Sequence, residues 1–248
     1  MIEKTEICGL RFSNAGIERM LDETVKLFFD DRKHMIFPAN VESIMLAEKD
    51  PFLKEIYNKS TLLLADGMPI IWASKILKRP IVEKISGPDF LPMMLRKFSP
   101  LNKSVFFLGG EKGVAERACQ NLCKKIKNLK IAGTMHGFFR KEGVENETVV
   151  KRINSTGASL LVVAFGTPLQ EKWIFNNIEK LDIKVAIGVG AAIDFISGEK
   201  KRAPRWMSNS GLEWFHRLIN EPSRLWRRYL LRDSLFPLLL IRNKLKNK

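Results

Sequence analysis

Cysteine, histidine and tyrosine are scarce in this 248-residue chain, with 3, 3 and 2 copies. The cysteines, at 8, 119 and 123, are too few and too badly placed for a disulfide framework. Cys119 and Cys123 lie one helical turn apart, but no His or further Cys nearby completes a metal set, so they read as residues on a helix face. His34, His136 and His216 are scattered, and none stands at metal-ligand spacing from a carboxylate or cysteine. No DxD-type acidic pair is flanked by apolar strand residues; Asp30-Asp31 is contiguous and precedes the first core strand. The full GxGxxG and GK[ST] phosphate-binding signatures, internal repeats and low-complexity tracts are also missing. The opening MIEKTEICGLRF has no apolar run of signal-peptide length. The longest apolar run near the other end, 235–241, is broken by Pro237 and falls far short of the roughly 20 residues of a span. These absences argue against a secreted disulfide scaffold, a zinc module and a transmembrane protein, and favour a reducing cytoplasm.

What is present is an ordinary globular composition with an uneven charge. Hydrophobic residues make up 45% and charged residues 28%, enough to bury a full core. The net charge is +15, of which +10 falls in residues 200–248, leaving the first 199 nearly balanced. Such concentration points to a localised anionic partner: phospholipid, a diphosphate or nucleic acid.

Short apolar runs over 34–37, 61–65, 104–108, 130–134, 160–165 and 184–189 read as parallel strands buried on both faces. Helical patterns over 41–47, 69–77, 89–97, 113–126, 148–154 and 168–178 alternate with them. Strand–helix alternation of this kind predicts an α/β fold with right-handed crossovers, a Rossmann-like, mostly parallel sheet. Near Ser197 the composition shifts to amphipathic helices rich in Arg and Trp. The expected organisation is therefore an α/β core over 1–196 and a basic helical appendage over 197–248.

Ligands of such sheets bind beyond the carboxyl ends of the strands. Asn40, Asp66-Gly67, Gly109-Gly110, the 134–139 segment TMHGFF, Gly166-Thr167-Pro168 and the stretch from Gly190 to Asp194 all fall there. Gly109-Gly110 forms a strand–glycine–helix turn that can bring backbone amides to a phosphate, or can simply end a strand. Taken alone, Asp66 reads as an N-cap before the next helix; the apolar strand that delivers it to the ligand side, the backbone freedom of Gly67 and Asn40 at a neighbouring strand end favour a general base.

Several blocks then resemble the WecG/TagA/CpsF family of bacterial glycosyltransferases, in family order and over nearly the whole chain. They are Asn40-Val41, Ala65-Asp66-Gly67, Gly87 with Asp89, Gly166-x-Pro168-x-Gln170-Glu171-x-Trp173, Gly188-x-Gly190, Asp194-Phe195, Arg202-Ala203-Pro204 and Glu221-Pro222-x-Arg224. The resemblance implies transfer of a sugar from a UDP-sugar to a polyprenyl-diphosphate-linked saccharide, with inversion at the anomeric carbon. It implies Asp66 as base, Asn40 and Gln170 lining the sugar pocket, and Asp194 on the uracil or ribose. Phe138 or Phe139 would pack on the uracil, unless both belong to the core. Arg217, Arg224 and Arg227 would complete the active site. Two positions depart from the pattern: Pro38 replaces a Thr that often precedes the Asn, and Lys84 replaces an Arg, giving positive charge without a planar fork. The donor is left open by these changes; N-acetylmannosamine onto N-acetylglucosamine-diphospho-polyprenol, in teichoic acid linkage-unit assembly, is the specific expectation, with glucose or N-acetylmannosaminuronic acid as alternatives.

With no metal motif, the leaving diphosphate must meet the protein's own cations, and metal-independent transfer is expected. Arg217, Arg224 and Arg228 fall at i, i+7 and i+11, with Arg227 alongside and Pro222 interrupting. Trp206, Trp214, Trp226, Phe215, Tyr229 and Phe236 interleave with these cations, the pattern of helices that settle at anionic headgroups. A peripheral place on the cytoplasmic face of the membrane is expected. A non-catalytic membrane or nucleic-acid-binding module is the competing class; the absence of any nucleic-acid motif argues against binding DNA or RNA. Homo-oligomerisation is left open.

Overall fold

A computed structural model describes residues 2–246, apart from the side chains of Arg205, Asn209, Arg224 and Lys246. The chain opens with a hairpin, β1 (Lys4–Ile7) and β2 (Leu10–Ser13), followed by α1 (Ile17–Lys26). Next come β3 (His34–Ala39), α2 (Val41–Ala47), α3 (Pro51–Lys59), β4 (Leu62–Ala65), α4 (Met68–Ile76) and α5 (Gly87–Phe98). The middle holds β5 (Ser104–Gly109), α6 (Val114–Lys125), β6 (Lys130–Met135) and α7 (Gly143–Ser155). Then follow β7 (Leu160–Ala164), α8 (Leu169–Asn177), β8 (Val185–Gly188) and α9 (Ala192–Ser197). The remainder is helical: α10 (Arg205–Asn209), α11 (Glu213–Asn220), α12 (Pro222–Arg227) and α13 (Phe236–Lys246), with a π-turn over Arg228–Arg232 and a 3₁₀ turn over Asp233–Leu235 between the last two.

Six strands form one parallel sheet in the order β4-β3-β8-β7-β5-β6. The four strands between the edges are buried almost throughout, which explains their unbroken apolar runs. Helices α1, α5, α6 and α9 pack on one face. The hairpin, α2, α3, α4, α7 and α8 pack on the other, and Phe236, Leu239 and Leu240 of α13 join them. The doubly wound, Rossmann-like architecture expected from strand–helix alternation is therefore present. The hairpin shields the outer edge of β4, where Ser13 Oγ accepts the Leu63 N–H at 3.2 Å.

Three local readings need correction. The hairpin, α1 and α3 were not legible as elements, and α7 begins at Gly143 rather than near Thr148. Pro237 does not break the final apolar run; it sits in the first turn of α13, where a missing N–H costs nothing. After β8, Ala192–Ser197 close into a short helix, outside the expected helical patterns, that carries Asp194. No helix among the described residues is long and apolar enough to cross a membrane.

The last fifth of the chain is fastened to the core by ion pairs as well as by the apolar side chains of α13. Arg202 makes a bidentate pair with Asp89 of α5, both distances 2.6 Å, and Ser86 Oγ donates to the same carboxylate. Arg228 and Arg232 both pair with Glu42 of α2, and Arg242 pairs with Glu48. Gly211, at φ 78°, lies flat against Trp72 of α4; a β-carbon there would stand 2.6 Å from the indole. On the outside of this segment Trp206, Ile219, Leu230, Leu231, Leu238 and Ile241 are exposed.

Candidate active site

The register of the sheet places the two residues with the clearest chemistry side by side. Ala39 of β3 pairs with Ala65 of β4, so the next residues, Asn40 and Asp66, leave the sheet together. The Asp66 N–H donates to the Ala39 carbonyl at 2.9 Å and fixes the turn. Gly67 then adopts φ 121°, a conformation closed to L side chains, which carries the chain from β4 into α4. Asn40 caps α2 reciprocally: its Oδ1 accepts the Ser43 N–H at 3.3 Å, and Ser43 Oγ accepts the Asn40 N–H at 3.2 Å. Asp66 is not a helix cap: the N-cap of α4 is Gly67, and no side chain caps that helix.

Asn40 and Asp66 line a cavity of about 500 Å³. Its apolar wall comes from Met68, Trp72 and Ile76 of α4 with Leu230, Phe236 and Leu240 of the C-terminal segment; Lys84, Glu213, Arg217, Arg228 and Asp233 supply charge. Asp66 is half-buried by exposure, yet densely surrounded by protein. Burial pushes its carboxyl up to about 6, and the Glu213 charge adds to the rise; Arg217, a hydrogen bond from the Gly87 backbone and Lys84 pull it back. A carboxylate with that affinity for protons is largely ionised at neutral pH and is a stronger base than an ordinary aspartate.

The cations around it are held by partners. Lys84 Nζ donates to the Ser208 carbonyl at 3.2 Å and to Ser208 Oγ at 2.9 Å; that hydroxyl donates to Glu213 Oε2 at 3.0 Å. Arg217 pairs with Glu213 at 3.2 Å and lies 5.2 Å from the Phe195 ring, with its Nε buried and unpartnered. Arg228 lies between Glu42 at 2.7 Å and Asp233 at 3.2 Å. Arg227 is exposed, with its guanidinium 5.3 Å from the Trp226 ring, and it does not line the cavity. The side chain of Arg224 lies outside the described residues. Glu213 and Asp233 were missed in the sequence because acidic positions among so many cations look like solvated charge; Glu42, two residues beyond Asn40, reads as a first-turn acid of α2.

The other strand ends form a second, adjoining part of the crevice. Gly109, at φ 131°, leaves 2.3 Å between a would-be β-carbon and the Ala164 carbonyl oxygen, so only glycine fits. The Gly110 N–H is already donated to that carbonyl at 3.1 Å. This pair therefore draws the ends of β5 and β7 together, and the Gly110 amide has no phosphate to await. Phe138 is 55% exposed beside His136, whose Nδ1 accepts the Phe138 N–H at 3.1 Å. Phe139 instead packs against Phe165 and Trp173, so one ring of the pair is a platform and the other is core. Lys141 lies 3.5 Å from the centre of the Phe139 ring and donates to the Gly137 and Phe139 carbonyls, which fixes this loop; burial lowers its ammonium to about 8. Asp194 opens α9 and stands 3.5 Å from Lys200. Gln170 is buried, and both ends of its amide are used: Oε1 accepts the Gly190 N–H at 2.9 Å, and Nε2 donates to Glu171 at 3.1 Å. It supports the Gly188–Gly190 turn from behind and does not line the cavity.

Asn40, Asp66, Lys84, Arg217 and Arg228 thus meet in one cavity, while Gly109, Gly110, Phe138 and Asp194 belong to the strand ends beside it. A family model described as the glycosyl transferase WecG/TagA/CpsF family matches residues 5–248. The chain is 31% identical over 227 residues to a Staphylococcus aureus (strain MRSA252) protein named N-acetylglucosaminyldiphosphoundecaprenol N-acetyl-beta-D-mannosaminyltransferase, covering 90% of this chain and 87% of that one. It is 31% identical over 225 residues to a Bacillus subtilis (strain 168) protein of the same name, covering 90% and 86%. Matched by that model over nearly its whole length, and by these relatives over 90% of it, this chain belongs to the WecG/TagA/CpsF family of glycosyl transferases.

Proposed function

We propose that this protein transfers N-acetylmannosamine from its UDP-activated form to a polyprenyl-diphosphate-linked N-acetylglucosamine, with inversion, in the assembly of a cell-surface polymer such as teichoic acid. The observation that carries the reading is the Asp66 carboxyl, raised to about 6 beside Asn40 in a cavity walled by cations on one side and apolar side chains on the other. Asp66 removes the proton from the acceptor hydroxyl as that oxygen attacks the anomeric carbon and the bond to UDP breaks. Asn40 and Lys84 hold the sugar, and Gln170 acts on it through the turn it supports. Phe138 stacks on the uracil, Asp194 accepts from the uracil N–H or the ribose, and the Gly109-Gly110 turn shapes the floor.

Charge leaves with the UDP diphosphate, and Arg217, the cation that most lowers the Asp66 pKa, receives it. In this reading Arg224 and Arg227 assist, Arg227 by leaving Trp226. The apolar wall of Trp72, Ile76 and Leu240 suits the first isoprene units of an acceptor whose lipid never leaves the bilayer. The exposed Trp206, Leu230, Leu231, Leu238 and Ile241, amid the +10 of the C-terminal segment, dock that face on the anionic cytoplasmic leaflet without spanning it.

The test is UDP release with a soluble short-chain N-acetylglucosamine-diphospho-lipid, followed by mass spectrometry of the product. An added N-acetylhexosamine, released by a mannosamine-specific analysis, supports the donor; an added hexose or hexuronate overturns that part and keeps the chemistry. Saturating EDTA should leave the rate within about twofold, because the diphosphate meets arginines. Loss on chelation, with recovery on adding Mg²⁺ or Mn²⁺, would reject the arginines as sufficient.

A further inference from the structure

Under the strand-end turns lies a carboxyl group that the proposed chemistry leaves unused. Glu171, on the first turn of α8, is fully buried. Its Oε1 accepts three hydrogen bonds, from Tyr57 Oη at 3.3 Å, Thr167 Oγ1 at 3.0 Å and Gln170 Nε2 at 3.1 Å. Its Oε2 is buried without a partner, and among the described residues no Lys, Arg or His is paired with it. An ionised carboxylate carries charge on both oxygens and is costly in such a place without donors or a cation on each. Burial raises the carboxyl's affinity for the proton, while the hydrogen bonds that Gln170, Thr167 and Tyr57 give to Oε1 pull the other way and the shift stays upward.

Each donor leads outward to a different turn of the crevice. Tyr57 stands next to Ser43, whose Oγ accepts the N–H of Asn40, the neighbour of Asp66. Gln170 accepts the N–H of Gly190, from which the chain enters α9 and Asp194. Thr167 lies in the turn after β7. Buried hydrogen bonds of this kind stiffen what they connect, and all three donors here converge on the one oxygen.

We propose that Glu171 is a positioning residue whose Oε1 ties the acceptor-side turn at Asn40 to the donor-side turn at Gly190, holding the base and the nucleotide-binding carboxylate of Asp194 at a fixed separation. The assignment of those two sides rests on the proposed transfer reaction; the mechanical tie does not. Gln at 171 keeps a carbonyl for the same three donors and puts its NH₂ where Oε2 already lacks a partner, so it preserves the tie, whereas Ala removes it.

The test compares full-length wild type, Glu171→Gln, Glu171→Ala and Tyr57→Phe at a temperature where each is folded by circular dichroism. Hydrogen exchange, read by mass spectrometry without substrate, should be at least tenfold faster in Glu171→Ala for peptides holding Asn40–Ser43 and Gly190, and near wild type in Glu171→Gln. Turnover should fall tenfold or more in Glu171→Ala with a raised KM for the sugar nucleotide, and Glu171→Gln should recover most of it at a ratio to wild type that is constant from pH 6 to 9. Tyr57→Phe cuts only one branch, so it should loosen Asn40–Ser43 and lower kcat with the nucleotide KM unchanged. If Glu171→Ala proves unfolded, the Tyr57→Phe pattern decides alone. Exchange confined to α8, wild-type turnover in Glu171→Ala, a Glu171→Gln as damaged as Ala, or a Tyr57→Phe indistinguishable from wild type would each overturn the proposal. A wild type that transfers no sugar sinks the proposed reaction and leaves the exchange result standing.

Discussion

Asp66→Asn is expected to bind UDP like wild type and to transfer sugar about 100- to 10,000-fold more slowly, the usual cost of losing a general base. Asn can still accept the hydrogen bond that the Gly87 backbone gives the carboxylate, so the turn should hold. Stability gives an independent control with a definite sign. An acid whose pKa is raised by folding, here to about 6, destabilises the folded state once it ionises. Removing the charge should therefore leave the unfolding temperature at pH 8 unchanged or higher. In wild type, kcat/KM should fall as pH drops through about 6, the range in which Asp66 takes up its proton. Wild-type turnover in pure, folded Asp66→Asn would exclude Asp66 as the base.

Deleting residues 198–248 is expected to abolish sedimentation with anionic liposomes and transfer to a soluble acceptor together. Each basic residue near the surface contributes about 1 kcal/mol to membrane binding, and the +10 of residues 200–248 makes the first loss large. The second follows because the deleted segment supplies Glu213, Arg217, Arg228 and the Phe236–Leu240 side of the cavity. Arg217→Ala separates the two roles. Liposome binding should stay within a few-fold, while transfer falls by about 100-fold with the loss of a diphosphate contact. Its acidic limb should also move to higher pH, because Arg217 pulls the Asp66 pKa down and Glu213 pushes it up. Glu213→Gln should move that limb the other way. A deleted core that transfers to the soluble acceptor at the full rate would make the segment an anchor alone.

The parts of the structure legible in the sequence were those whose signal is local. Each buried strand is a short apolar run because helices cover both of its faces, and the position of Asp66 follows from the end of such a run. The hairpin was not legible because its strands are only four residues each and Gly9 is the one turn signal between them. The apolar positions of α1 and α3 went unclaimed between loop-like neighbours. Within the site, Asn40 and Asp66 could be paired in advance because parallel register needs only two adjacent strands. The role of Gln170 could not, since a polar residue just after a strand reads as pocket lining until its amide is found bonded to Gly190. The same holds for Gly110, whose amide is taken by Ala164. In the tail, helical spacing put Arg217 and Arg228 on one face with Arg227 alongside, but Arg227 is exposed and does not line the cavity.

The strand order has a consequence for how the molecule comes into being. The strand made last, β8, lies in the middle of the sheet and alone joins β3 and β4 to β5, β6 and β7. Until Val185–Gly188 has left the ribosome, the chain holds two separate half-sheets, each with an open parallel edge, β3 on one and β7 on the other. Contacts between such distant segments form slowly, and bare edges of this sort invite pairing with other chains. Nascent fragments ending before residue 184 are thus the aggregation-prone species of this protein, and Asn40, Gly166 and Gly190 first become neighbours only when the final strand slides between the halves.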